Sequence, residues 1–329
     1  MNRKKSGLRI GIIGDGQLGN RLFKMFNYAN PSDNFLVSCY SRKCGFDMTD
    51  LSWVKQIMQM NDVVINCVAM TDVDSCETAP NEAIHLNSIL PAALGAIESN
   101  ALIVHISTDY VYGDAQDEFG THNENEENRP AFPVNFYGKT KLTGDFALLA
   151  NNSIADRLLI LRPSWLFDQE SDKSIVARIY DKLKNEQVVK AVDDIYGVPT
   201  ECSLLYDVIM AFISGDVRPG LYNVRNGTRD GECPSIYDIA CFIANEVHGN
   251  TLCVEKMKSS DFHTYAPRQT NSMLSIKKLE NEFAGTLTGR LPFKHWKDAI
   301  KDFIVNRNVV EMAKEAAKVD LGKLAEKFK

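Results

Sequence analysis

LRIGIIGDGQLG, residues Leu8 to Gly19, passes from an apolar run into three glycines within six positions. The run is β-branched towards its end, and Leu18, Leu22, Met25 and Phe26 then recur at helical spacing. The pattern predicts a strand, a glycine turn and a helix. Glycine allows a tight turn and close approach of a pyrophosphate, and a helix N-terminus offers that anion free N–H groups and a positive dipole. Gly14, Gly16, Gln17, Leu18 and Gly19 are therefore candidate cofactor-binding residues. A bare GxGxxG also fits a plain strand-to-helix turn, so its weight depends on the flanking chain. No GxxxxGK followed by Ser or Thr is present, which argues against a nucleoside-triphosphate loop.

Working outward, Phe35 to Tyr40 (FLVSCY), Asp62 to Ala69 (DVVINCVA), Ala101 to Ile106 and Arg157 to Arg162 read as further strands. Helical stretches separate them, one from about Asn81 to Glu98 that carries Asn87. Asp47-Met48-Thr49-Asp50 is expected to open another helix, with Thr49 or Asp50 as N-cap. This alternation implies an α/β fold, a Rossmann-type doubly wound parallel sheet whose ligands bind at the carboxyl ends of strands. At the end of the second strand an NAD site usually places Asp or Glu for the ribose 2′-hydroxyl. Ser41, Arg42 and Lys43 stand there instead. A hydroxyl and two cations suit a 2′-phosphate, so NADP(H) is the expected cofactor and NAD(H) the alternative. A solvated basic turn is the plain reading of the same residues.

Past Trp165 the strand–helix rhythm weakens. Asp193 to Thr200 is rich in turn residues, a helix follows from about Cys202 to Ile213, and Gly220 to Val224 reads as a short strand. Ser235 is placed to cap a helix running to Val247, and Lys294 to Val305 is amphipathic. The expected organisation is a nucleotide-binding domain over 1–165, with segments near 190–215 returning to it, and a smaller mixed α/β substrate domain over 166–305. Residues 306–329 form an added terminal helix, with Val310, Ala313, Ala317 and Leu321 as a narrow apolar stripe. The polar, acidic stretch from Gly113 to Val134 is expected to be a surface loop or lid, with Glu124, Glu126 and Glu127 in solvent.

Composition narrows the class. The chain has 329 residues, 44% hydrophobic and 24% charged, with a net charge of -6. Nothing there favours a nucleic-acid or membrane partner, and no apolar run reaches the roughly 20 residues of a membrane helix. The basic Met1 to Gly7 leads straight into a strand, without the apolar region of a signal peptide. The eight cysteines include no CxxC pair, and Cys39, Cys67, Cys202 and Cys241 sit in apolar stretches. Reduced thiols in a cytoplasmic protein are expected.

Tyr137 and Lys141 are four residues apart, one turn on one face if the segment is helical. A phenol beside a fixed ammonium is a candidate proton donor, because the cation stabilises phenolate and lowers a pKa of about 10. Thr108, in Ser107-Thr108-Asp109-Tyr110, lies at a strand end where a second hydroxyl would be useful.

Taken together, these residues resemble the extended short-chain dehydrogenase/reductases, and within them the dTDP-4-dehydrorhamnose reductase family. The resemblance covers roughly residues 8 to 305. It rests on the glycine loop, Asp47-Met48, Asn66 to Asp74, Ser107 to Tyr112, Tyr137xxxLys141, Arg162-Pro163-Ser164-Trp165, Gly197-Val198-Pro199-Thr200, Arg268, and Asn271-Ser272, in that order. It implies reduction of the C4 ketone of a nucleotide-linked 4-keto-6-deoxy sugar by NADPH, in deoxysugar and polysaccharide biosynthesis. Tyr137 would be the general acid, Lys141 would tune it and hold the nicotinamide ribose, and Thr108 would hydrogen-bond the carbonyl oxygen. Asp47 and Met48 would flank adenine, Ala69 and Thr71 would line the cofactor site, and Asn87 would support it. Thr71, Asp109, Tyr110, Trp165 and Arg268 would face the nucleotide sugar, although Trp165 reads equally as a core residue.

The chain also departs from the family. Its glycine loop is one residue shorter than the usual GxxGxxG, and Asp194-Ile195 replaces Asp-Gln before Gly197. Arg21 stands where some rhamnose-pathway relatives carry a glutamate linked to a metal at a dimer interface, so no metal is expected. A cysteine of related epimerase/reductases is Tyr110 here, which favours a plain reductase. A homodimer is the candidate assembly. Two rivals remain open at this level: a non-catalytic, NADP-binding regulatory subunit, which the terminal helix would suit, and an epimerase or dehydratase. Dehydratases usually carry an acidic pair where Asp109 is the sole carboxylate.

Overall fold

The computed structural model describes residues 7–28, 35–114, 122, 132–285 and 293–327, and side chains of the last helix as far as 313. The opening stretch forms β1 (Arg9–Ile13) and α1 (Gln17–Asn27). There follow β2 (Leu36–Tyr40), α2 (Ser52–Met60), β3 (Val63–Asn66), α3 (Val73–Thr78), α4 (Pro80–Ile84), α5 (Leu90–Ala96), β4 (Leu102–Ile106), α6 (Phe136–Leu149) and β5 (Leu158–Pro163). The second half contributes β6 (Leu166–Phe167), α7 (Ile175–Lys184), β7 (Val189–Val192), β8 (Tyr196–Gly197), β9 (Thr200–Glu201), α8 (Cys202–Ser214) and β10 (Gly220–Val224). It ends with α9 (Ile236–His248), β11 (Val254–Met257), β12 (Asn271–Ser272), α10 (Lys277–Ala284) and α11 (Trp296–Lys327).

Six strands build one parallel sheet in the order β2-β1-β3-β4-β5-β10. Strand residues alternate between its two faces. Val63, Ile65, Leu102, Val104, Leu159 and Leu161 pack with α1 and α8, while Val64, Ile103, Leu158 and Ile160 pack with α2, α5 and α6. Covering both faces is why these strands read as unbroken apolar runs. The strand order reverses between β1 and β3, and that reversal opens a crevice at their carboxyl ends. A second hydrophobic group gathers α7, α9 and the start of α11 around Tyr180, Ile243, Trp296 and Phe303. Three short parallel pairs, β7–β11, β8–β12 and β6–β9, accompany it. Of the stretch near 190–215, β7 pairs with β11, whereas α8 packs on the large sheet.

Several local expectations are corrected. The helix after Asp47 starts only at Ser52, with Leu51 at its N-cap and no side-chain cap. Asp47 accepts from Thr49 N at 3.0 Å and Asp50 from Ser52 N at 2.9 Å, so both carboxylates make turns ahead of the helix. The helix expected over 81–98 contains a π-type turn at His85–Ile89, between α4 and α5. The terminal helix is not a separate element: α11 runs unbroken from Trp296 to Lys327, and the side chains of Ala317 and Leu321 lie outside those described. Glu124, Glu126 and Glu127 lie outside the described residues. Within the same stretch His122 is buried, its ring stacked on Tyr112 with centroids 5.0 Å apart. All eight cysteines are free thiols. Among the described residues no helix is long and apolar enough to cross a membrane.

Candidate active site

The glycine loop is shaped by close approach. Gly14 has φ +101°, and a Cβ on Gly19 would lie 2.0 Å from the Gly14 carbonyl oxygen. A Cβ on Gly16 would meet nothing within 4 Å. Gly16 is also the N-cap of α1, with no side chain capping the first turn. The loop therefore leaves an open cradle over the uncapped N–H groups of an 11-residue helix, which fits the pyrophosphate of a dinucleotide. Leu18 is buried in the core, so only its backbone faces that cradle. Gln17 is engaged with Cys202 Sγ at 3.6 Å.

The end of β2 supplies the next part. Ser41 is buried, and Arg42 and Lys43 project into solvent from a single 3-10 turn. Arg42 lies 3.3 Å from both Asp47 and Glu82, and Lys43 lies 2.8 Å from Asp15 of the glycine loop. A 2′-phosphate placed here would take these cations from their carboxylates. Met48 is a core side chain, so it can offer adenine only its backbone.

Asn87 takes a supporting place behind the segment that follows β3. The π-type turn carries it, fully buried, against the segment after β3. Its Oδ1 accepts from Met70 N at 2.9 Å, and its Nδ2 donates to Met70 O at 3.1 Å and Thr140 Oγ1 at 3.0 Å. Asn87 thereby holds the Ala69–Thr71 segment and α6 together. Ala69 is half-buried and Thr71 exposed on that segment.

α6 presents Tyr137 and Lys141 as its period requires. Asn135 caps the helix by accepting from Gly138 N at 2.9 Å, and Glu77 accepts from Phe136 N at 2.8 Å. A Cβ on Gly138 would sit 2.3 Å from the Tyr110 carbonyl oxygen, so only glycine allows α6 to lie so close to the Thr108–Tyr110 turn. Burial pushes the Tyr137 phenol above its ordinary value, and the nearby Thr108 hydroxyl works against that rise. Burial also lowers Lys141 to about 8, although Asp145 pulls it upward. The expected lowering of the phenol by Lys141 is absent from the free chain. Lys141 Nζ donates instead to the Ile106 carbonyl at 2.7 Å and lies 3.5 Å from His105 Nε2.

The remaining expected residues divide. Tyr110 packs edge-on to Tyr137 with centroids 5.7 Å apart. Asp109 does not face the cleft: it is buried, with one oxygen taken by Thr108 at 3.0 Å and the other by Gln269 at 2.9 Å. Arg268 pairs with both oxygens of Asp74, at 3.0 and 2.9 Å, and so joins the 264–272 segment to α3. Trp165 is half-buried and has φ 41°, a left-handed conformation that is rare for an aromatic residue. Its ring lies over Gly197, where a Cβ would come within 2.8 Å of it. The ring thus packs as a core residue does, while the residue as a whole stays partly exposed. Arg21 lies 3.3 Å from Asp168, and among the described residues no group of three His, Cys, Asp or Glu could hold a metal.

A buried polar network under Lys141 was missed from sequence. His105 Nδ1 faces Asn66 Nδ2 at 3.2 Å, and Asn66 Oδ1 accepts from Val68 N, which orients the amide and makes Nδ1 an acceptor. Burial, and then Lys141, hold His105 well below its ordinary pKa, so the neutral ring carries its proton on Nε2. Asp145 lies 3.7 Å from that nitrogen and accepts from Ser107 at 2.8 Å and Arg162 at 2.9 Å. The available signal was a histidine inside the apolar run ALIVHI.

Comparison with known proteins agrees with this geometry. The family model described as "RmlD substrate binding domain" matches residues 9–309. A dTDP-4-dehydrorhamnose reductase of Aggregatibacter actinomycetemcomitans is 31% identical over 310 residues, covering 89% of this chain and 97% of that one. The enzyme of that name from Mycolicibacterium smegmatis is 28% identical over 298 residues, covering 90% and 85%. The structure of dTDP-4-dehydrorhamnose reductase from Bacillus anthracis in complex with NADP superposes with TM-score 0.77 at 25% identity, covering 91% of this chain and 99% of that one.

Proposed function

The chain belongs to the RmlD substrate binding domain family, and from that premise we propose that it reduces the C4 ketone of a nucleotide-linked 4-keto-6-deoxy sugar with NADPH, as a step of deoxysugar biosynthesis. The observation that carries this is that α6 buries Tyr137 near the Thr108 hydroxyl, one helical turn from Lys141, at the carboxyl ends of the sheet that also carry the glycine cradle. When bound, the reduced nicotinamide supplies the hydride that turns the ketone into an alkoxide. The chain's own residues do the rest. Tyr137, kept neutral by burial, gives its proton to the alkoxide oxygen. Thr108 positions the phenol, and Lys141, turning from the Ile106 carbonyl, holds the nicotinamide ribose. Gly14, Gly16 and Gly19 seat the pyrophosphate, and Ser41, Arg42 and Lys43 take the 2′-phosphate. Trp165 and Arg268 face the nucleotide sugar, Arg268 exchanging Asp74 for the diphosphate. The free thiols support a cytoplasmic setting, and a homodimer is the proposed assembly.

The test is NADPH oxidation with a panel of 4-keto-6-deoxy sugars carried on thymidine, uridine, guanosine and cytidine diphosphates, run with wild type and Tyr137→Phe. Turnover by wild type on the thymidine-linked sugar is expected. The variant should lose at least about a hundredfold in kcat while still binding NADPH. No turnover on any sugar, together with a stable complex with another enzyme, would sink the reductase in favour of the regulatory subunit.

A further inference from the structure

Thr108 has one hydroxyl proton, and in the free chain it points away from the cleft. Oγ1 donates to Asp109 Oδ1 at 3.0 Å. The same oxygen accepts from Tyr110 N at 3.3 Å, and it stands near enough to the Tyr137 phenol that donating to it would lower the phenol's pKa. While its proton is committed to Asp109, Thr108 has none to give that phenol. In this state it can neither donate to a ketone oxygen nor return a proton to Tyr137.

The carboxylate that sets this arrangement has an uncommon environment. Asp109 is 3% exposed, and no Lys, Arg or His pairs with it among the described residues. Its partners are neutral: Thr108, and Gln269, whose Nε2 donates to Oδ2 at 2.9 Å and to Ser272 Oγ at 2.8 Å. Tyr137 of α6 and Tyr110 of its own turn face it, and the charges around Tyr110 are Arg268, Asp74 and Asp114. Burial pushes the Asp109 carboxyl up to about 6, against the hydrogen bonds from Ser272 and Thr108. The group therefore changes charge in the range where an enzyme works.

We propose that Asp109 is a positioning residue that turns the Thr108 hydroxyl towards the cleft and, through it, refills Tyr137 with a proton during ketone reduction; this rests on the reading of Tyr137 as the acid. With Asp109 protonated, its O–H donates to Thr108 Oγ1, Thr108 donates to the Tyr137 oxygen, and the phenol donates to the ketone oxygen. Hydride addition breaks the carbonyl π bond and leaves an alkoxide. The alkoxide takes the phenol proton, the phenolate takes the Thr108 proton, and Thr108 takes the Asp109 proton. One proton has left the carboxyl and one O–H bond has formed on the sugar, while both hydroxyls are restored. The end state is the arrangement of the free chain, with Thr108 donating to a carboxylate. Water returns the proton to Asp109 once product has left.

The experiment is the pH dependence of kcat from pH 5 to 8.5, at saturating NADPH and sugar, for wild type, Asp109→Asn and Gln269→Met. Only protonated Asp109 is competent, so wild-type kcat should fall about tenfold per pH unit above about pH 6. Asp109→Asn keeps an acceptor for Thr108 but has no proton to give. Its falling limb should vanish and its kcat at pH 5.5 should drop at least about tenfold, with the Kd for NADPH changed less than about twofold. Gln269→Met removes a donor to the carboxylate, which favours the neutral acid, so its limb should move to higher pH. A limb unchanged in Asp109→Asn, or unmoved in Gln269→Met, overturns the proposal. If Asp109→Asn does not fold, Gln269→Met decides. Retained turnover in Tyr137→Phe would instead refute the acid assignment itself. An inactive Tyr137→Phe beside an unchanged Asp109→Asn limb would refute the Asp109 role alone.

Discussion

Asp145→Asn is the perturbation that most directly tests whether the site is held from below. Asp145 is fully buried on α6 and is the sole carboxylate against Arg162 among the described residues, Arg162 itself being 5% exposed. Two guanidinium nitrogens reach Asp145 Oδ2 at 2.9 Å, and Ser107 adds a third donor at 2.8 Å. Arg162 continues to the Tyr112 hydroxyl at 2.9 Å, and that hydroxyl donates to Asn223 at 2.8 Å, so one network ties α6 to β5 and β10. The amide keeps the shape and one acceptor but leaves the guanidinium without a counter-charge. Breaking a buried pair on one side costs about 3–5 kcal/mol. At roughly 2 °C per kcal/mol for a chain of this size, the melting transition should fall by about 6–10 °C. Urea unfolding followed by circular dichroism gives the same quantity, and a cycle with Arg162→Met and the double variant isolates the pair. The double variant should recover at least about 1 kcal/mol relative to the sum of the singles, because it buries no unpaired charge. A loss below about 1 kcal/mol, or singles that add within about 0.5 kcal/mol, would refute the argument. There is a functional readout as well. Asp145 pulls the Lys141 pKa upward against burial. Removing its charge should let the lysine titrate below about 8, so NADPH affinity should fade at a lower pH than in wild type.

Three further predictions concern the cofactor. Gly19→Ala places a Cβ 2.0 Å from a backbone oxygen that cannot move without reopening the loop, and the Kd for NADPH by fluorescence should rise at least about tenfold, or about 1.4 kcal/mol. Gly16→Ala, in open space, should unfold as wild type does and still bind NADPH more weakly, because its methyl would occupy the cradle. Arg42→Ala should weaken NADPH about tenfold relative to NADH, the scale of one lost charge-assisted hydrogen bond. Equal weakening of both would remove the case for 2′-phosphate recognition.

The parts of the fold that were legible are those where one physical signal dominates. Strands β1, β4, β5 and β10 are short apolar runs between turn residues, and α9 begins at a capping box of Ser235 and Asp238. What could not be read depends on contacts distant in sequence. The π-type turn that presents Asn87 has the composition of ordinary helix, and its reason is the Met70 backbone 17 residues away. Asp50 looks like a cap, because an Asx turn and an N-cap use the same side chain. Asp109 reads as a polar strand exit until Gln269, 160 residues later, covers it. Trp165 packs its ring on Gly197, 32 residues later, a contact that its own neighbours in sequence do not announce.

The same distinction decides what the Tyr137–Lys141 spacing meant. Four residues on a helix put the two side chains on one face, but whether a cation tunes a phenol depends on where the cation is hydrogen-bonded. In the free chain the Ile106 carbonyl holds the ammonium, and burial moves the two groups in opposite directions, the phenol up and the amine down to about 8. Both shifts favour neutral forms, because burial outweighs the partners each group has. For reduction this is a workable ground state, because an acid has to hold its proton until the alkoxide forms. A strongly basic alkoxide can draw a proton even from a phenol of raised pKa, so the barrier then depends on how the phenolate is relieved. The free chain offers two routes to that relief. Lys141 can swing from the strand carbonyl towards the ribose and phenol, or the Thr108–Asp109 pair can pass a proton inward. The first stabilises the phenolate by charge and the second removes it. Only the second ties the rate to a carboxyl near pH 6, so the pH profile of kcat separates them.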